Sequence, residues 1–386
     1  MTRPRLCRVV TVPMTFETLL RDQVRRIVAA GLDVTLICNP GDGMAAFARD
    51  AGARYLPLPL ARQLSPRHDS VSLAALTRLY RRERFDLVHS STPKAGLLSA
   101  IAARLAGIPR RLHTFTGQPW VELRGHPHGA AREADRVIGR LDTQLYADSG
   151  SQRDFLIAEG IVAADRIAVV GAGSISGVDL RRFDPVGMAG ERDAIRRRLG
   201  IAASARVIVF VGRVTRDKGI TELVEAFLAV HATRPDLALL LVGPFEPDRD
   251  PLPAATLEAI HSHPAIHGVG FGLEPERYLA AGDLFCLPSY REGFGTVAIE
   301  AGALGLPVVA TRVTGLVDAV VDGETGRLVP AKDVAALVTA IGALLDAPAE
   351  RRRLGEAGRR RAVTRFDAEV IDAAVVQEYH RVLGTR

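Results

Sequence analysis

Pro288-Ser289-Tyr290-Arg291-Glu292-Gly293-Phe294-Gly295-Thr296-Val297-Ala298-Ile299-Glu300-Ala301 follows a short apolar run that ends at Leu287. The run reads as a buried strand, the glycines as a turn, and the Ala-rich remainder as a helix beginning near Phe294. Strand, glycine turn and helix in that order form one unit of a parallel sheet, whose strands must be joined by crossovers. Gly293 and Gly295 let backbone approach a ligand closely, and the first turn of the new helix offers unpaired N–H groups to an anion, so a phosphate is the expected guest. Glu292 and Glu300 bracket that anion site. A carboxylate is a poor partner for phosphate but a good acceptor for hydroxyls, which points to a ligand with sugar on both sides of its phosphates. A helix cap at Glu292 and a surface glutamate at Glu300 would account for the same residues without a ligand.

The alternation continues outward along the chain. Strand-like runs at 207–212, 238–243, 283–287 and 307–310 belong with this stretch, and a separate series comprises strands at 8–12, 33–38, 85–89 and 141–147 with helices at 19–30, 95–106 and from Ser151. The expected fold class is α/β, with two Rossmann-like doubly wound domains at 1–184 and 185–365. Glycines, Asp184 and Pro185 break the pattern around 171–185, and the tail 366–386 reads as a helix that packs back on the first domain. A chain of 386 residues is long enough for two cores.

The junction carries a false lead. Gly171-Ala172-Gly173-Ser174-Ile175-Ser176-Gly177 resembles a dinucleotide fingerprint, but its last glycine comes one residue late and residues 178–185 form no long helix to meet a pyrophosphate. A dehydrogenase is therefore disfavoured.

Hydrophobic residues make up 47% and charged residues 24%, an ordinary balance, and no apolar run approaches the roughly 18 residues of a membrane span. The apolar stretch 9–12 stops at Pro13, too short for a signal peptide core, so a cytoplasmic location is expected. Cys7, Cys38 and Cys286 are expected to be free buried thiols. The net charge of +6 is concentrated early: 26 Lys and Arg face 18 Asp and Glu in 1–184, against 24 facing 26 in 185–386. A basic first domain fits an anionic acceptor, an anionic membrane surface or nucleic acid, and equally a basic surface that only keeps the protein in solution. Leu73, Leu76, Leu79 and Tyr80, with Arg78, Arg81, Arg82 and Arg84 nearby, read either as a membrane-facing stripe at the inner face of the plasma membrane or as an ordinary core-packing helix. Nucleic acid is not expected as a partner, because no aromatic-interleaved recognition motif accompanies the basic residues.

A second chemical signal lies in Phe210-Val211-Gly212-Arg213-Val214-Thr215-Arg216-Asp217-Lys218-Gly219-Ile220. Arg213 can grip a diphosphate bidentately while Lys218 acts as a point charge on the same loop. Fixed cations there would stabilise the charge that develops on a departing diphosphate.

Taken in order, Val211-Gly212-Arg213, Lys218-Gly219, Pro288-Ser289, Glu292-Gly293-Phe294-Gly295, Glu300-Ala301, 305–310 and Asp322-Gly323-Glu324-Thr325-Gly326 resemble the donor half of glycosyltransferase family 4. The resemblance covers essentially the whole second domain and implies the GT-B fold of two facing Rossmann-like domains. It further implies that Arg213 and Lys218 hold the diphosphate of a nucleotide-sugar and that Glu300 holds the ribose. Glu292, with the backbone of Gly293, Phe294 and Gly295, would hold the transferred sugar, Gly270 and Phe271 would lie near the base, and Gly212 and Thr296 would belong to the same donor site. Arg213, Lys218 and Glu292 are the catalytic candidates. No metal or other cofactor is implied beyond the nucleotide-sugar itself.

The first domain resembles the bacterial surface-polysaccharide branch of that family through 86–96, 114–120 and 173–179. By this resemblance Pro13, His89, Thr92, Lys94 and Thr116 are acceptor-side candidates. Two positions depart from the pattern: Pro13-Met14-Thr15-Phe16 replaces a Gly-Gly loop, and Thr116 stands where many relatives have His. His113 is a further nearby histidine. The expected activity is retaining transfer of a hexosyl or N-acetylhexosaminyl group, with a UDP-sugar as donor, onto a saccharide or lipid-linked saccharide. A GT-B epimerase or phosphorylase and a non-catalytic sugar-nucleotide-binding protein are the alternatives.

Overall fold

The computed structural model describes residues 3–61, 65–272 and 274–385. The chain divides into two compact units, 1–177 with 368–386, and 178–367. The first crossing thus falls at Gly177, seven residues before the expected boundary, because 178–184 join the second unit.

The first unit contains a parallel sheet of β1 (Arg5–Val9), β2 (Asp33–Cys38), β3 (Arg54–Pro57), β4 (Leu87–Ser91), β5 (Arg110–Phe115), β6 (Gln144–Ala147) and β7 (Ile167–Val169), in the order β3-β2-β1-β4-β5-β6-β7. β1, β2 and β4 are buried along nearly their whole length, polar residues included, because helices cover both faces of the sheet. Leu6, Leu36 and Leu87 pack on one face with the helix Arg21–Ala29. Cys7, Ile37 and Val88 pack on the other with the helices Pro66–Glu83 and Pro93–Ala106. The tail helix Ala368–Leu383 belongs to this unit, and its Tyr379 is 1% exposed within the first of these cores.

The second unit is a parallel sheet of β8 (Arg206–Val211), β9 (Leu237–Val242), β10 (Ile266–Gly268), β11 (Leu284–Leu287), β12 (Val308–Thr311) and β13 (Gly326–Val329), in the order β10-β9-β8-β11-β12-β13. Both sheets reverse their strand order next to their first strand, between β1 and β4 and between β8 and β11. Ligands of open parallel sheets bind at the carboxyl ends of strands at this reversal.

Leu76 and Tyr80 are fully buried, with Leu73 and Leu79 packed around them, so that stripe is core and does not face a membrane. Arg78, Arg81, Arg82 and Arg84 are exposed beside it. The glycine-rich 171–177 segment is followed by turns, with no regular helix before Ala189–Arg198. Among the described residues no helix is long and apolar enough to cross a membrane. All three cysteines are free and buried, and burial pushes the Cys38 thiol up to about 12.

Candidate functional site

The loops leaving β8 and β11 flank the reversal of the second sheet and are packed backbone to backbone. Gly219, at φ 72°, leaves no room for a side chain: a Cβ there would lie 2.1 Å from the Pro288 carbonyl oxygen. Tyr290 N–H donates to the Asp217 carbonyl at 2.9 Å, which fastens the same two loops.

This packing joins the charged residues of both loops. Lys218 Nζ pairs with Glu292 Oε1, and Ser289 Oγ donates to that oxygen at 2.8 Å. Arg213 is clamped from two sides, by Glu246 Oε2 at 2.9 Å from Nη1 and by Asp217 Oδ2 at 3.2 Å from Nη2. Two donors occupied in this way leave three N–H groups of the guanidinium for a ligand. Burial alone would raise the Asp217 carboxyl; Arg213, Lys218, Thr215 and Arg291 outweigh it and hold it at about 2. The candidate cations therefore rest on carboxylates.

The helix after the glycine turn begins at Thr296, two residues later than expected, and ends at Ala303. Gly295 caps it at φ 86°, a backbone conformation in which residues with a Cβ are strained. Glu300 lies in this helix. Burial pushes its carboxyl up to about 7, against the pull of Arg182 and with the help of Glu276. Arg182 forks onto Glu276, at 3.1 and 2.8 Å. Phe294 is 2% exposed and its ring lies 5.2 Å from that of Phe366, so its side chain belongs to the core and only its backbone remains for a ligand.

Gly270 and Phe271 follow β10, the outermost strand of the sheet on that side. The Gly270 carbonyl accepts from Gly243 N–H at 2.8 Å, and the Phe271 ring is 52% exposed, a large apolar surface left for stacking. Gly212 follows β8 so close to the end of β9 that a Cβ at Gly243 would lie 1.8 Å from its carbonyl oxygen. Among the described residues no group of three or more His, Cys, Asp or Glu side chains is placed to hold a metal ion.

In the first unit Pro13, Thr92, Lys94 and Thr116 follow β1, β4 and β5, which are neighbours around the reversal. Thr92 Oγ1 is 2.8 Å from Thr11 Oγ1, and its φ of 73° is a strained value for a residue other than glycine. Lys94 is ion-paired with Asp69. Pro13 packs on Gly41, and Thr116 is half-buried. His89 lies deeper, 5% exposed. Its Nε2 meets Thr114 Oγ1 at 2.8 Å and its Nδ1 meets the Tyr379 hydroxyl at 2.6 Å, so contacts within the fold account for it. Burial holds its pKa well below the usual histidine range. His113 meets Ser90 Oγ at 2.9 Å, and burial lowers it to about 3.

Sequence reasoning missed Asp217, Glu246, Arg291, Arg182 and Glu276. Asp217 and Arg291 adjoin residues that were singled out and could have been found by asking what orients Arg213. Glu246, Arg182 and Glu276 carried no local signal, since only sheet order and packing bring them close.

Two doubly wound parallel-sheet units in one chain place the protein in the GT-B fold class. Residues 191–361 match the family described as glycosyl transferases group 1, and residues 16–173 match the glycosyl transferase 4-like domain. The chain belongs to this glycosyltransferase family. It is 27% identical to the capsular polysaccharide biosynthesis glycosyltransferase CapM of Staphylococcus aureus, over 99% of this chain and 98% of CapM. It is 31% identical to a D-inositol 3-phosphate glycosyltransferase of Arthrobacter sp. (strain FB24), over 80% of this chain and 74% of that one. The Anabaena protein Alr3699/HepE, solved with UDP and glucose, has the same fold: TM-score 0.80 at 17% identity, over 98% of this chain and 100% of that one.

Proposed function

We propose that this glycosyltransferase is a retaining enzyme that uses a UDP-sugar, binding the donor in the second unit and a saccharide or lipid-linked saccharide in the first. Arg213 and Lys218 take the diphosphate, Glu300 the ribose, and Glu292 with the backbone of Gly293, Phe294 and Gly295 the transferred sugar. The carrying observation is the convergence of Arg213, Lys218 and Glu292 from two separate loops at the β8/β11 reversal. Binding exchanges carboxylate partners for phosphate: the diphosphate draws Lys218 from Glu292, whose freed carboxylate then accepts from a sugar hydroxyl. The acceptor hydroxyl attacks from the face that the diphosphate leaves, and the departing phosphate oxygen takes its proton. No metal enters this scheme. The name of CapM supports a role in surface polysaccharide or glycoconjugate synthesis, and the HepE complex with UDP and glucose supports a UDP-linked sugar; in this reading the sugar is a hexose or N-acetylhexosamine and the enzyme works at the cytoplasmic side of the membrane.

The test is a thermal-shift screen of UDP-, GDP- and ADP-sugars, followed by transfer assays on saccharide and lipid-linked acceptors with the product anomer read by NMR. A UDP-sugar should raise the melting point most, and the new linkage should keep the donor's anomeric configuration. Inverted product, or isomerised donor formed without any acceptor, would overturn the reading.

A further inference from the structure

Two guanidinium groups meet on one carboxylate oxygen in the second unit. Arg291 Nη2 lies 3.0 Å from Asp217 Oδ2, the atom that also takes Arg213 Nη2 at 3.2 Å. Arg213 and Asp217 come from the β8 loop that carries Lys218; Arg291 comes from the β11 loop, next to Glu292. Asp217 is itself tightly held: Thr215 Oγ1 donates to its second oxygen at 2.6 Å, and its own N–H donates to Asp250 Oδ2 at 2.6 Å. Arg213 also meets Glu246, which Arg249 shares at 3.4 Å, and Arg216 meets Asp250 at 3.4 Å; these four guanidiniums therefore face three carboxylates, and the cluster keeps one surplus positive charge beside the Lys218–Glu292 pair. Arg291 Nε is buried and has no hydrogen-bond partner. A buried donor without an acceptor is costly, a cost the fold bears to hold this guanidinium on Asp217.

We propose that Arg291 is a positioning residue of the diphosphate site: it shares Asp217 with Arg213, so that Asp217 orients the Arg213 guanidinium without cancelling the positive charge that the diphosphate meets. The inference rests on the reading of Arg213 and Lys218 as the diphosphate cations. It differs from a simple strap between loops in one respect. A strap would weaken every ligand of the site alike, whereas a shared charge matters for the second phosphate and not for the nucleoside.

The experiment measures UDP and UMP binding to the full-length protein by calorimetry for wild type, Arg291→Gln and Arg291→Lys, with melting temperatures as the folding control. Arg291→Gln should weaken UDP about tenfold or more while leaving UMP within about twofold. Arg291→Lys, which keeps the charge and loses the fork, should recover most of the UDP affinity. In transfer assays Arg291→Gln should raise the donor KM more than it lowers kcat. Unchanged UDP binding in Arg291→Gln, equal losses of UDP and UMP, or no recovery in a folded Arg291→Lys protein would overturn the inference while leaving the donor site standing. A wild-type protein that binds none of UDP, GDP and ADP would overturn the donor site itself.

Discussion

Lys218 and Glu300 show how one site asks opposite things of its charges. Lys218 is paired with Glu292 in the free protein and is assigned to the diphosphate in the complex, so its removal strips stabilisation from the leaving group and leaves Glu292 uncompensated. Lys218→Ala should therefore lower the transfer rate about a hundredfold or more at saturating donor; near-normal turnover would remove its proposed role. Glu300 is governed by burial. Its carboxyl moves from 4.5 to about 7 on folding, so between those values the folded protein holds a proton that the unfolded chain has released. Its contribution to stability falls as pH rises through this window, and the penalty is complete above about 7. Glu300→Gln has no proton to lose, so its melting temperature relative to wild type should rise between about pH 5 and about pH 8. Donor affinity should run the other way. A ribose-binding carboxylate accepts best when ionised, so the wild-type donor KM should fall as pH rises through about 7, and this dependence should vanish in Glu300→Gln.

At the level of elements, the site depends on the contact between the β8 and β11 loops. Gly219 permits that contact, since any Cβ would strike the Pro288 backbone, which has no flexible end to move aside. Gly219→Ala should cost about 1–3 kcal/mol of stability and raise the donor KM at least about tenfold, because the cations and Glu292 separate. Gly305 is the control. Its φ of 77° is similar, but a Cβ there meets nothing within 4 Å, so Gly305→Ala should strain the backbone without moving the donor KM. Denaturant melts of both variants with donor titrations separate the two effects; a Gly219→Ala protein with normal donor KM would show that the loops need not touch.

For the whole molecule, the order of segments decides which part folds by itself. The second unit is one continuous stretch, 178–367, and contains every residue assigned to the donor; the first needs 368–386 as well. A fragment of 178–367 should therefore fold and bind UDP within a few-fold of the full chain. A fragment of 1–177 should not, because removing Tyr379 uncovers the buried Arg8 and His89 that it contacts. Circular dichroism and calorimetry of the two fragments check this, and a stable 1–177 would show that the tail helix is dispensable. Within the full chain, Tyr379→Phe should cost about 1–3 kcal/mol, the penalty of leaving buried polar partners unmatched.

Residue order alone determined the α/β class, most strands of the two series and the glycine turn before the helix at Thr296, and it singled out Arg213, Lys218, Glu292 and Glu300 as the candidates for the donor. These are local signals, carried by apolar periodicity, glycine placement and the spacing of charges along one loop. Tertiary structure decided the rest, because sheet order is a long-range property. It set β8 beside β11, so that Lys218 meets Glu292 and Arg291 shares Asp217 with Arg213. It turned the stripe of Leu76 and Tyr80 inward, enclosed His89 beneath Tyr379, and assigned residues 178–184 to the second unit. A side chain's exposure depends on what folds over it, and no window of neighbouring residues contains that information.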